Sequence, residues 1–217
     1  MITRINAELF DWLKLATKKD TGDFTSQIHV CQDAVWAADG LRMHCIGDPK
    51  KAYPVLFSCL PRNATELNKW IKKPPGIGLK IPGSRSVVPD IRSWIDFYHP
   101  ATFYVDKDLY RKLKEINRLF NNDASKRVTL RLYDGSMTVS CKLPVFGEIP
   151  ARKIGSCFGR GKFKINSQYL VDACRFGGLV KIPDDPEKYP IKIRSAYHGY
   201  SCKPIEYPLT ALIAGIL

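Results

Sequence analysis

KFKINSQYLVDACRFGG, residues 162–178, holds a strand, a helix start and a helix stop in one run. Lys162, Phe163, Lys164 and Ile165 alternate polar and apolar, the period of a strand with one face buried. Asn166 then offers a side-chain oxygen to the unpaired N–H groups of a new helix, and Gly177-Gly178 ends it. At about 100° per residue, Tyr169, Leu170, Ala173 and Cys174 share one face, and Gln168, Asp172 and Arg175 lie opposite. One side of this unit is expected to pack on a sheet, leaving the other for a partner.

The same pattern recurs along the chain. A helix over residues 6–19 is capped by Asn6, with Leu9, Trp12, Leu13 and Ala16 inside and Lys14 and Lys18 outside. Strands follow at 24–30, 34–38 and 41–46, the last two joined through Asp39-Gly40, a strong hairpin signal whose type I′ turn needs positive φ at both central residues. After a strand at 53–60, Asn63 and Glu66 form a capping-box pattern opening a helix to Lys73. Leu67, Trp70 and Ile71 make its buried stripe, and Lys69, Lys72 and Lys73 fall on the reverse. Residues 76–100 are rich in Pro and Gly, with short strands expected only at 79–81 and 86–88, and read as a seam.

Beyond the seam a strand at 101–105 leads to Asp106, which caps the longest helix, through Phe120. Leu109, Leu113, Ile116 and Phe120 form its apolar stripe. Lys107, Arg111, Lys114 and Arg118 project within about 60° of one another on the other side. A merely solvated helix face usually mixes signs; here only Glu115 sits at the edge. A second Asp-Gly hairpin spans 127–142, further strands are expected at 148–153 and 162–165, and strands at 179–182, 191–195 and 205–214 follow the 166–176 helix. Helices starting at Asn6 and Asp106, turns at Asp39 and Asp134, and helices starting at Asn63 and Asn166 repeat at offsets of 100, 95 and 103 residues. The expected fold is α+β: two similar domains, 1–98 and 99–217, each a β-sheet with two helices packed on one face.

With 217 residues, 45% of them hydrophobic, the chain can bury a core in one domain or two. No apolar run follows a basic start and none approaches the ~20 residues of a membrane span, so a soluble, intracellular protein without a membrane partner is expected. The seven cysteines (Cys31, Cys45, Cys59, Cys141, Cys157, Cys174, Cys202) form no C-x-x-C pair and read as small buried hydrophobes in a reducing compartment. No metal or cofactor site is expected. His29 and His44 lie beside Cys31 and Cys45, where a Cys/His nucleophile pair is conceivable and carries little weight against ordinary burial. Gly159-Arg160-Gly161-Lys162 resembles a phosphate loop, but no Gly stands five residues before Gly161 and Phe163 replaces the Ser or Thr, so a basic loop is the better reading. No paired-carboxylate, H-E-x-x-H or G-x-S-x-G pattern suggests catalysis.

Charge is the strongest compositional signal: 34 Lys and Arg against 21 Asp and Glu, a formal net of +13. That surplus favours a polyanion, nucleic acid first. Basic outer faces on several helices, with the helix tryptophans turned inward, suit phosphate contact on duplex without base reading.

Residues 37–43, Ala-Ala-Asp-Gly-Leu-Arg-Met, resemble the A-T-D-G-x-R-L hairpin of the bacterial β sliding clamp, the processivity subunit of the replicative DNA polymerase. Val88-Pro89-Asp90-Ile91-Arg92 resembles the F-P-D-Y-x-R stretch joining that family's middle and last domains. Residues 106–120 stand where the last domain's first helix would be, and residues 163–173 resemble its F-N-x-x-Y-L-x-D-A segment. The resemblance covers nearly the whole chain as middle plus last domain. It implies two DNA-clamp-type domains in a ring around duplex DNA, helices inward, with Lys14, Lys18, Lys69, Lys72, Lys73, Lys107, Arg111, Lys114, Arg118 and Arg175 facing the DNA. It also implies a groove for a short apolar peptide of a DNA polymerase or clamp loader, at Gly40, Leu41, Arg42, Met43, Pro89, Trp94 and Ile213. A homo-oligomer is implied, a trimer if six domains close the ring. So are a non-catalytic role and a bacterial cytoplasmic setting, with the chain encoded by host, phage or plasmid. A monomeric, non-encircling DNA-binding replication accessory is the alternative.

Overall fold

Side-chain oxygens of Asn6, Asn63, Asp106 and Asn166 accept helical N–H groups at the starts of four helices: α1 (Ala7–Lys14), α2 (Ala64–Lys72), α3 (Lys107–Arg118) and α4 (Ser167–Ala173). All four caps follow the expectation, each worth about 1 kcal/mol. The structure, a computed structural model, describes residues 2–19, 23–73, 95, 98–120, 126–143, 147–195 and 207–214. The strands expected at 79–81 and 86–88, together with Pro89, Trp94 and Cys202, lie outside these residues. The chain forms two units, Met1–Asp96 with Glu206–Ala211, and Phe97–Ile205 with Leu212–Leu217.

In the first unit, β1 (Ile28–Val30), β2 (Ala34–Ala38), β3 (Arg42–Gly47) and β4 (Phe57–Cys59) follow α1. The last strand, β12 (Leu209–Ile213), contributes its start, and the order is β4-β1-β2-β3-β12. β2 is buried along its whole length because both faces of the sheet are covered. On one, Trp12 of α1 lies against His44 of β3. On the other, Trp36 packs on His29 and donates its indole N–H to the Ala52 carbonyl at 3.0 Å. Asn68 ties α2 to the segment leading into α1, accepting the Ile5 N–H at 2.7 Å and donating to the Ile5 carbonyl at 2.8 Å.

Several boundaries differ from the sequence reading. α1 stops at Lys14, and the chain folds back so that Lys18 N–H donates to the Thr25 carbonyl. Residues 24–26 form a single 3-10 turn, because Asp23 accepts from the Thr25 N–H in competition with a ladder. In the first hairpin Asp39 pairs with Arg42, so the loop residues are Gly40 and Leu41, and of these Gly40 alone has positive φ. That is the pattern of a type II′ turn instead of I′. The Asp39 carboxylate then accepts the N–H groups of both Leu41 and Arg42 at 2.9 Å. Glu66 closes its capping box one residue early, on the Arg62 N–H at 2.7 Å. Leu67 is buried, but Trp70 and Ile71 are only half-buried.

In the second unit, β5 (Ala101–Val105) precedes α3; β6 (Arg127–Tyr133), β7 (Ser136–Leu143), β8 (Gly147–Gly155) and β9 (Gly161–Asn166) follow; β10 (Gly178–Ile182) and β11 (Ile191–Ser195) come after α4. The strands divide into two sheets, β8-β7-β6-β9 and a ladder containing β11-β10-β5. A two-bond bridge between Thr102 and Phe158 links them. The second Asp-Gly turn has positive φ at both Asp134 and Gly135, the type I′ conformation. Leu109 and Leu113 pack inward from α3 and Phe120 from just past its end, with Ile116 half-buried. At Gly159, where φ is +79°, a Cβ would collide with the Pro100 carbonyl. The Gly-Arg-Gly-Lys run is thus shaped by a close backbone approach.

Candidate nucleic-acid interface

The cationic helix faces form as the sequence arranges them. Lys107, Arg111, Lys114 and Arg118 are all exposed on α3, opposite the buried Leu109 and Leu113. Asp108 adds an acid to this face, reaching Arg111 at 3.4 Å in an exposed pair that holds little energy. Lys114 extends along Tyr110, its Nζ 5.7 Å from the ring centre. Lys69 and Lys72 are exposed on α2, and Lys73 is its exposed C-cap. Lys14 is exposed at the end of α1, while Lys18 lies beyond it and reaches back toward the Gly40 turn.

α4 departs from this pattern. Gln168 and Asp172, expected on its free side, meet α3 instead: Asn117 donates to Gln168 Oε1 at 2.8 Å, and Gln168 donates to Asp172 at 2.7 Å. Ser167 completes the contact by donating to Asn117 Oδ1 at 2.7 Å. Asp172 is consequently buried, and Arg175, past the helix end, is half-buried.

Of the residues expected to form a peptide groove, Met43 and Ile213 are buried, and Arg42 is held by Asp39 at 3.0 Å. Gly40 is exposed, and Leu41 presents its apolar side chain at 53% exposure. Pro89 and Trp94 lie outside the described residues.

The histidines and cysteines are engaged separately. His29 hydrogen-bonds Ser58 at 2.7 Å and the Phe24 carbonyl at 2.9 Å, and burial lowers its pKa to about 4. Cys31 donates to the Ala52 carbonyl, and burial pushes its thiol up to about 11. Cys45 is fully buried with its pKa raised by the same cause. A thiolate nucleophile is disfavoured at both positions. Among the described residues no cluster of His, Cys, Asp or Glu could hold a metal ion, and no helix is long and apolar enough to cross a membrane.

A second basic surface is carried by strands. Its signal is the alternation that identifies the strands, with Lys162 and Lys164 on the polar phase of β9 and Arg127 and Arg131 on that of β6.

No protein-family model matches the chain, and no curated protein matches its sequence significantly. Solved structures match it closely in shape. The DNA polymerase III beta subunit of Thermotoga maritima superposes with a TM-score of 0.67 at 15% identity, covering 99% of this chain and 65% of that one. The DNA polymerase sliding clamp of Pseudomonas aeruginosa gives 0.67 at 14% identity over 97% of this chain and 63% of its own. That of Caulobacter crescentus gives 0.64 at 13% identity over 99% and 65%. The chain has the fold of the bacterial DNA polymerase III beta sliding clamp and spans about 65% of the length of the proteins it matches.

Proposed function

We propose that this chain is a non-catalytic, sliding-clamp-like processivity factor, which holds duplex DNA through the basic faces of its helices and tethers a DNA polymerase. The observation that carries this reading is the α3 face, where Lys107, Arg111, Lys114 and Arg118 stand exposed together on a clamp fold. Such a face contacts phosphates, giving affinity without sequence preference. Lys14, Lys18, Lys69, Lys72 and Lys73 extend it, and Arg175 adds a smaller part. Leu41, beside Gly40 and Arg42, is the accessible apolar side chain offered to a short peptide of a polymerase or clamp loader.

Self-association belongs to this reading. Among the described residues β8 is an edge of its four-stranded sheet, and between it and α3 an open groove of about 560 Å³ is lined by Ile116, Leu119, Ile149 and Ile154 with Lys112, Glu115 and Arg152. Leu119 is 49% exposed. An unpaired edge with apolar side chains beside it is suited to pairing with another chain. A trimer would supply six domains for a closed ring, working in the cytoplasm of a bacterium on host, phage or plasmid DNA.

The test is topological. Protein loaded on nicked circular DNA should be retained in high salt and released when the circle is cut, with scattering mass above that of one chain. A monomer held equally well by unblocked linear DNA would overturn the ring. It would favour a second reading, a monomeric basic accessory that does not encircle DNA, which the net charge of +13 supports.

A further inference from the structure

The solvent face of the second unit's four-stranded sheet is as basic as its helices. In β6 and β9, Val128, Leu130, Leu132, Phe163 and Ile165 point into the core. The alternate positions therefore point out: Arg127, Arg131 and Tyr133 on β6, Lys162 and Lys164 on β9, all exposed. The ladder sets Arg131 directly opposite Lys162. Continuing across the sheet, Thr138 of β7 faces Arg131, and Lys153 of β8 faces Thr138. Lys142, one residue past the Val128–Cys141 pair, stands level with Arg127.

Like charges placed directly opposite across a ladder repel. Acidic neighbours would normally relieve this, but the four strands contain seven Lys and Arg and one acid, Glu148, which faces Lys142. Among the described residues none of Arg127, Arg131, Lys162 and Lys164 lies in an ion pair. A face that is merely solvated mixes signs more evenly than this.

Aromatic surface lies at one end of the patch. Tyr133 is 60% exposed, and the Arg160 guanidinium covers its ring at 4.6 Å. Arg160 also pairs with Asp134 at 2.8 Å, an exposed contact on the same side of the ring. Phe158, two residues earlier on the approach to β9, is 76% exposed. Large exposed rings beside cations are what unpaired bases stack on, whereas a duplex keeps its base faces inside. The surface is sheet with no helix to enter a groove, and the sheet's own core separates it from the α3 face.

We infer that this sheet face is a second nucleic-acid site, which binds single-stranded DNA or RNA through Arg127, Arg131, Lys162 and Lys164, with Tyr133 and Phe158 as stacking platforms. It is independent of the duplex site proposed on the helices. A chain with both could hold a duplex on its helices and the adjoining single strand on its sheet.

Fluorescence anisotropy of the full chain, with labelled oligo(dT) of about 20 nucleotides and a hairpin duplex of similar length, tests this. The triple variant R131S/K162S/K164S should weaken oligo(dT) binding roughly tenfold or more and leave the duplex within about threefold. The helix variant K107S/R111S/K114S/R118S should do the reverse. Y133A and F158A, which keep every cation, should each weaken oligo(dT) roughly fivefold with an unchanged salt slope; they decide the matter should the triple variant fold poorly. Unchanged oligo(dT) binding in the sheet and aromatic variants overturns the proposal. So does an equal loss on oligo(dT), duplex and phosphatidylserine vesicles, which would mark an unselective charged patch.

Discussion

The imidazole of His44 lies flat against the indole of Trp12, centroids 4.3 Å apart and planes 9° from parallel, with its Nδ1 2.6 Å from the Trp12 carbonyl oxygen. A carbonyl only accepts, so Nδ1 carries the proton and Nε2 is a buried lone pair without a partner among the described residues. Burial lowers the His44 pKa to about 3, as it lowers that of His29 to about 4. Both rings are neutral at pH 7, and charging either one would put an ion into the core of the first unit.

Stability should therefore fall in acid. Each folded pKa lies below the unfolded value of about 6.5, so the contribution is complete above that pH and is lost as pH falls toward 4. Going from pH 8 to pH 5 should cost roughly 2 kcal/mol per histidine. Urea unfolding followed by tryptophan fluorescence at a series of pH values measures this. A midpoint that does not move between pH 8 and 5 would show that neither ring is buried as described.

The α3 cluster should dominate duplex binding. Each phosphate contact removed lowers the salt slope by about 0.9, so replacing Lys107, Arg111, Lys114 and Arg118 with Ser should reduce it by roughly 3 to 4, and Arg175→Ser by less than about 1. Titrations from 50 to about 200 mM salt resolve the difference. Equal losses would contradict the orientation of α3 toward DNA.

Two asparagines act as ties, one in each unit. Asn68 binds both the N–H and the carbonyl of Ile5; Asn117 binds Ser167 and Gln168. Replacing either with Ala leaves partly buried polar groups unmatched and should destabilise its unit by about 1–3 kcal/mol. Hydrogen exchange would locate the loss, near α1 and α2 for N68A and near α3 and α4 for N117A. Protection lost evenly over both units would argue against separate ties.

Gly159 and Gly135 both have positive φ but different surroundings. A methyl group on Gly135 would meet nothing within 4 Å, whereas at Gly159 the Pro100 backbone occupies that space. G135A should cost about 1–2 kcal/mol from the backbone alone, and G159A clearly more, because a carbonyl must move. Thermal melts of the two variants compare them, and equal melting temperatures would show that the Pro100 approach is loose.

Sheet-edge association is tested by Leu119. Aspartate at this exposed position should shift the scattering mass toward one chain and leave the melting temperature nearly unchanged, because Leu119 is not part of the core. An unaltered assembly would place the contact elsewhere.

By itself the sequence determined the helix starts, the places of the two hairpins and the basic side of α3. These depend on neighbours a few residues apart: a cap oxygen reaches N–H groups two or three positions on, and charges every three or four residues share a face. Tertiary structure alone decided what each remaining face meets. Gln168 and Asp172 look solvent-facing in KFKINSQYLVDACRFGG, yet Asn117, some fifty positions away, takes Gln168, which in turn donates to the buried Asp172. Lys162 and Lys164 look like the ordinary wet side of a strand until the β6–β9 register brings Arg131 opposite Lys162. Register and packing depend on residues distant in the chain, and no local pattern records which of them will arrive.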